Sequence, residues 1–144
     1  MHYPEIIINT DGGARGNPGP AAVGITARAG TQTLFEISEY IGEQTNNVAE
    51  YTAVIHALTH LDQHHLSTDT LIFILDSELI VRQITGQYKV KQPHLQQLVN
   101  QVRSLISKIK NNNPSIKITF QNVLRGENKR ADQLVNQALD SHSL

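Results

Sequence analysis

A chain of 144 residues with 39% hydrophobic and 17% charged side chains can bury one core and is too apolar to stay disordered. No apolar run nears the ~20 residues of a membrane-spanning helix, and the absence of cysteine excludes disulfides and thiolate metal sites. A single domain over residues 1–144 is expected, with its last few residues frayed, in a monomeric, cytoplasmic protein. The formal net charge of -1 conceals an asymmetry. From Met1 to Asp76 only Arg15 and Arg28 are basic against nine carboxylates, whereas Ser77 to Ala131 carries ten basic residues against Glu78 and Glu127. One side of such a protein can face phosphates while another holds cations, although an ordinary solvated lysine-rich face would produce the same count.

In chain order, Glu5 to Asp11 reads as a buried strand, and GGARGNPGP from Gly12 to Pro20 as a dense turn signal. Ala21 to Arg28 and Gln32 to Gly42 read as two further strands across the Ala29-Gly30-Thr31 link, forming an antiparallel meander with the first. From Asn46 or Asn47 to His64 the period turns helical, with Val54, Ala57, Leu58 and Leu61 on one face and Thr45-Asn46-Asn47 able to cap it. Thr70 to Leu75 is an apolar strand ending at Asp76, followed by a short helix from Ser77 to Thr85 that Gly86 stops. Pro93 opens a helix to Lys110 whose buried stripe is Leu95, Leu98, Val99, Val102, Leu105, Ile106 and Ile109. Ile116 to Val123 is the last strand and Asn128 to Asp140 the last helix, with Ala131, Leu134, Val135 and Ala138 inward. Three strands followed by alternating helix and strand imply an α/β protein with one mixed sheet.

Four acids stand out by position. Asp11 and Asp76 each follow a strongly apolar strand, and the carboxyl ends of strands are where open α/β sheets bind ligands. If those strands are neighbours, the two charges repel unless cations or protons intervene. Glu50 lies four residues before Val54, on the apolar face of its helix, where a carboxylate is costly unless paired or metal-bound. Asp132 lies in the first turn of the last helix, where favourable interaction with the helix dipole is a sufficient explanation by itself. Periodicity alone does not make the four converge.

At this point the sequence resembles a known family. The segment NTDGGARGNPGPAAVG resembles the first-strand signature of type 1 ribonuclease H, and TNNVAEYTAVIHAL its first helix. LIFILDSELIVRQITGQYKVK is similar to its central strand, short helix and loop, and NVLRGENKRADQLVNQAL to its last strand and catalytic helix. The blocks occur in order and cover nearly the whole chain. The resemblance implies a ribonuclease H-like fold, a five-stranded mixed sheet in the order 3-2-1-4-5 with helices on both faces, so that strands one and four are adjacent. It also implies an endonuclease that cuts the RNA strand of RNA–DNA hybrids by two-metal-ion catalysis, leaving 5′-phosphate and 3′-hydroxyl ends. Mg2+ is the implied ion, with Mn2+ as a substitute, since hard carboxylate oxygens suit both.

The family's catalytic and metal-holding carboxylates fall on Asp11, Glu50, Asp76 and Asp132. The resemblance makes Asp11 the bridging ligand, gives Glu50 and Asp76 to one ion each, and puts Asp132 on the nucleophile side. Its substrate contacts fall on Gly12, Gly13, Asn17, Asn46, Asn47 and Ser77, with Thr45 at a DNA-phosphate pocket; Asn46 and Asn47 serve equally well as helix caps. Lys89 and Lys91 can reach phosphates, a nonspecific and salt-sensitive contact. Many relatives insert a basic projection where only Gly86 to Gln92 intervenes here, so this chain is similar to the compact bacterial and archaeal branch. Either a lower hybrid affinity or a greater reliance on Arg125, Lys129 and Arg130 is then expected.

Many relatives also carry a mobile loop histidine before the last acid. Leu124 to Asn128 holds none, leaving Arg125 or Glu127 as auxiliary candidates and His142 as a remote one in the tail. His56 and His60 are four residues apart, as a helical metal pair would be, but their phase differs from the apolar stripe and they lack a zinc-hydrolase acid pattern. Solvent exposure is the simpler reading, and His64-His65 merely ends the helix. The rival function is a non-cleaving module that binds the hybrid or double-stranded RNA, for which four uncompensated acids would be superfluous. Other nucleases on this scaffold do not resemble the GGARGNPGP and TNNVAEY blocks.

Overall fold

The computed structural model describes residues 1–143. Its elements are β1 (His2–Ala14), β2 (Gly19–Ala29), β3 (Gln32–Gln44), α1 (Asn46–Gln63), β4 (Ser67–Leu75), α2 (Glu78–Ile84), α3 (Pro93–Asn112), β5 (Lys117–Asn122), a 3-10 turn (Arg125–Glu127) and α4 (Lys129–His142). The five strands form one sheet in the order β3-β2-β1-β4-β5, as the resemblance implied. β1 to β3 are antiparallel neighbours, while β4 runs parallel to β1 and β5 parallel to β4. The chain end expected to fray is helical through His142, whose ring stacks on Tyr40 with centroids 3.5 Å apart; Leu144 lies outside the described residues.

Alternation along β1 and β2 sends their side chains to two different layers. Ile6, Ile8, Val23 and Ile25 face the main core with Tyr51, Val54 and Leu58 of α1 and Leu95, Val99 and Val102 of α3. On the opposite face Ala22 packs against Val135, Ala138 and Leu139 of α4, so helices cover both sides. Of the stripe expected on α3, Leu95, Val99 and Val102 are buried, while Leu98, Leu105, Ile106 and Ile109 are only partly covered.

The GGARGNPGP segment departs from its reading as a turn throughout. Gly12, Gly13 and Ala14 continue β1, paired with Val23, Ala22 and Ala21 of β2. The reversal is confined to the residues after them, closed by the Arg15 N–H donating to the Pro20 carbonyl at 2.8 Å. The reason is packing. A Cβ on Gly12 would overlap the Ala49 carbonyl of α1, and one on Gly24, the partner of Asp11, would overlap the Ala131 carbonyl of α4. Glycine is present in these strands because two helix backbones come that close, on opposite faces of the sheet, at the same point.

Candidate active site

That point of close approach is where the acids gather. Asp11 projects from β1 and Asp76 follows the end of the adjacent strand β4. Glu50 comes from the second turn of α1, and Asp132 from the first turn of α4. All four line one crevice of about 520 Å³, together with Gly12, Gly13, Ala14, Arg15, Asn46, Asn47, Ser77, Arg125 and Asn136. Asp11, Glu50 and Asp76 can each offer a carboxylate oxygen within 4.8 Å of the others. Asp132 stands at the crevice wall outside that tight triad.

The glycine contact sets the geometry. With α1 against β1, the Gly12 N–H donates to Asp11 Oδ1 at 3.0 Å and to Glu50 Oε1 at 3.2 Å. Glu50 Oε2 is buried with no hydrogen-bond partner among the described residues. Burial pushes Asp11 from the usual 3.8 up to about 7; the charges of Asp76 and Asp132 add to this, and hydrogen bonds with Glu50 and Gly12 oppose it. Glu50 is raised well above its ordinary value, first by burial and then by the Asp11 charge. Asp76 is also raised by burial, although the Arg125 guanidinium pulls the other way. Three carboxylates held together against their own titration preferences, one with an orphaned oxygen, form a donor set suited to a hard divalent cation. The buried cluster could therefore coordinate a divalent metal.

The remaining residues singled out in the sequence fall at different distances from this centre. Gly12, Gly13, Asn46, Asn47, Ser77 and Arg125 line the crevice. Asn17 and Thr45 support its wall: Asn17 Oδ1 accepts from the Asn46 N–H at 3.0 Å, and Thr45 Oγ1 caps α1 by accepting from the Val48 N–H. Asn46 is braced twice, since its Oδ1 also accepts from the Ala14 N–H at 2.9 Å. Lys89 lines a separate hollow of about 410 Å³ with Tyr88 and Arg103, Lys91 is exposed, and Glu127 is exposed outside the crevice.

Sequence reasoning missed Asn128. It is the N-cap residue of α4, yet its side chain makes no cap bond. It is buried instead, donating to the Thr10 carbonyl at 2.8 Å and accepting from Asn9 Nδ2 at 3.0 Å, with Arg28 Nη1 donating in turn to Asn9 Oδ1 at 2.9 Å. This chain of amides ties the start of α4 to β1 beside Asp11. Asn136 and Arg15 were missed too. Asn136 Nδ2 lies 3.4 Å from Asp132 Oδ2, and its Oδ1 accepts from Arg15 Nη2 at 3.3 Å. The i,i+4 spacing of Asp132 and Asn136 was the one available signal.

The sheet order, the flanking helices and the carboxylate crevice define a ribonuclease H-like protein with an acidic metal centre. Residues 9–138 match the reverse transcriptase-like family. LC11-RNase H1, isolated from compost by a metagenomic approach, is 45% identical, with a TM-score of 0.82 over 97% of this chain and 99% of that one. The same protein has been solved in complex with an RNA/DNA hybrid, at 46% identity and a TM-score of 0.84. RNase H1 from the halophilic archaeon Halobacterium salinarum NRC-1 is 35% identical, with a TM-score of 0.85 over 95% and 98% of the two chains. The bifunctional protein Rv2228c of Mycobacterium tuberculosis is 37% identical over 139 residues, which is 95% of this chain but only 36% of that protein. This chain therefore belongs to the ribonuclease H family, near its bacterial and archaeal type 1 members, and spans little more than a third of the mycobacterial relative's length.

Proposed function

We propose that this protein is a divalent-metal-dependent endoribonuclease that hydrolyses the RNA strand of RNA–DNA hybrids, leaving 5′-phosphate and 3′-hydroxyl ends. The observation that carries the reading is the Asp11–Glu50–Asp76 triad with its unpartnered Glu50 oxygen. It is supported by the similarity to LC11-RNase H1, a protein solved with such a hybrid. Asp11, Glu50, Asp76 and Asp132 would hold two Mg2+ ions, or Mn2+ in their place. Bound there, the ions supply Lewis-acid activation of water and neutralise charge at the scissile phosphate.

The chain's own residues account for selectivity. Telling RNA from DNA requires groups that sense a 2′-hydroxyl. In this reading Glu50 and the Gly12–Gly13 backbone take part, and the crevice keeps spare hydrogen-bonding capacity beside them. Asn47 makes no side-chain hydrogen bond among the described residues, and Asn46 retains its amide donor. Ser77 Oγ accepts from the Ile80 N–H, so its hydroxyl proton is free to donate. Asn17 and Thr45 hold this wall in place, Thr45 beside the DNA strand, while Lys89 and Lys91 offer outlying phosphate contacts. Arg125, whose charge opposes the raised pKa of Asp76, and Glu127 serve as auxiliary groups in the absence of a loop histidine.

The test is denaturing-gel cleavage of an end-labelled RNA–DNA hybrid with Mg2+ or Mn2+, beside single-stranded RNA, double-stranded RNA and double-stranded DNA, with Asp11→Asn as control. Metal-dependent cuts confined to the hybrid's RNA strand and lost in the variant are the expected result. Binding of the hybrid without cleavage by either metal would replace this reading with that of a binding module.

A further inference from the structure

The histidines of α1 have no part in the reading above, and the tertiary structure gives them a partner that their spacing does not show. His56 and His60 sit one helical turn apart and face β3 across a small cleft of about 170 Å³, lined also by Ile37, Glu39, Thr59 and Gln63. His56 Nδ1 lies 3.5 Å from Glu39 Oε2, with the imidazole only 30% exposed. We propose that His56, His60 and Glu39 form a second metal site, taking a borderline transition ion such as Zn2+ through two imidazoles and one carboxylate.

Ligand chemistry separates this site from the crevice. Imidazole nitrogen suits zinc, copper and nickel, whereas carboxylate oxygen alone suits magnesium and manganese. Zinc bonds of about 2.0–2.2 Å at a tetrahedral angle place neighbouring ligand atoms roughly 3.4 Å apart. The His56–Glu39 pair is already at that spacing. Helical residues four apart have Cβ atoms about 5–6 Å from each other, which lets two imidazoles converge on one ion. His60 is not yet turned toward that point: its ring stacks between Phe35 and His64, with centroids 4.0 and 3.9 Å away. Rotation about its χ angles would exchange this stack for the third bond. Burial and the neighbouring His64 lower the His60 pKa, which favours the neutral, metal-binding form at pH 7. Water completes the coordination from the open side of the cleft. His56 lies six residues beyond Glu50, about 9 Å along the helix axis, so the two centres do not share ligands.

The experiment is calorimetric titration of Zn2+ into the whole protein with excess Mg2+ present, followed by thermal melts with and without Zn2+. One saturable zinc per chain is expected. It should persist in Asp11→Asn and His64→Gln, and weaken by about tenfold or more in His56→Gln and in His60→Gln, each of which removes a zinc ligand. Zinc should raise the Tm of the wild type by linkage and leave that of His56→Gln unmoved. Zinc binding unchanged by both histidine substitutions would overturn the site. So would its loss in Asp11→Asn, which would place the zinc in the crevice, or in His64→Gln, which would assign it to the His60–His64 pair. A failure of hybrid cleavage leaves these outcomes untouched, because none of them reads activity.

Discussion

Replacing Asp11 by asparagine should make the metal-free protein more stable, because the folded chain holds that carboxyl against its ordinary ionisation. Its pKa rises from 3.8 to about 7, chiefly through burial and then through the charges of Asp76 and Asp132. With the folded value above the unfolded one, the folded state binds a proton more tightly. Stability is therefore lost as pH climbs from about 4 through about 7, and stays lost above. At about 1.4 kcal/mol for each tenfold change in proton affinity, the ceiling is about 4 kcal/mol. Glu50 shares the same desolvated pocket and relaxes part of that strain, so the expected gain at pH 8 is about 1–3 kcal/mol, or roughly 3–10 °C in Tm. Asparagine keeps an acceptor for the Gly12 N–H, which isolates the charge as the variable. Urea unfolding of both proteins in EDTA at pH 4 and pH 8 measures it, with the gap closing at pH 4 and narrowing when Mg2+ is added at pH 8. A variant no more stable than wild type at pH 8 would refute the account of a strained carboxylate cluster.

Three further outcomes follow from the same geometry. Metal uptake should strengthen as pH rises through about 7 and release protons, because Asp11 must ionise to become a ligand; calorimetry in buffers of different ionisation enthalpy counts them, and an absence of released protons would contradict the raised value. Gly12→Ala should cost about 3 kcal/mol or prevent folding, since its Cβ meets the Ala49 carbonyl, whereas Gly126→Ala, where a Cβ meets nothing within 4 Å, should stay within about 0.5 kcal/mol. Equal melting of the two variants would remove backbone contact as the reason for Gly12. Asn136→Ala should lower kcat more than it changes KM or Tm, because Asn136 is exposed and lies between Arg15 and the Asp132 carboxylate; steady-state kinetics and a melt decide it, and an unchanged kcat would leave Asn136 without a positioning role.

Patterns that depend on near neighbours were legible in the chain alone. Periodicity placed α1 and its apolar face, and with it the anomaly of Glu50, which the fold buries at 7% exposure. The apolar run before Asp76 marked the end of β4, and Pro93 marked the start of α3, whereas β1 continues three residues past Asp11. The segment blocks carried the strand order, which local propensity cannot supply, because pairing β1 with β4 is a contact between distant parts of the chain. The tertiary structure alone decided whatever depends on two backbones meeting. Gly12 to Ala14 read as turn because glycine disfavours strands in isolation, yet they pair with β2 so that α1 and α4 can approach the sheet from both sides. Asn128 read only as the first residue of the last helix and is a buried strut to Asn9 and Thr10, a role visible only once α4 lies across β1. His56 read as solvent-exposed until β3 placed Glu39 beside it. In each case the residue type sets what a side chain can do, and packing between segments far apart in sequence selects which of those options it takes.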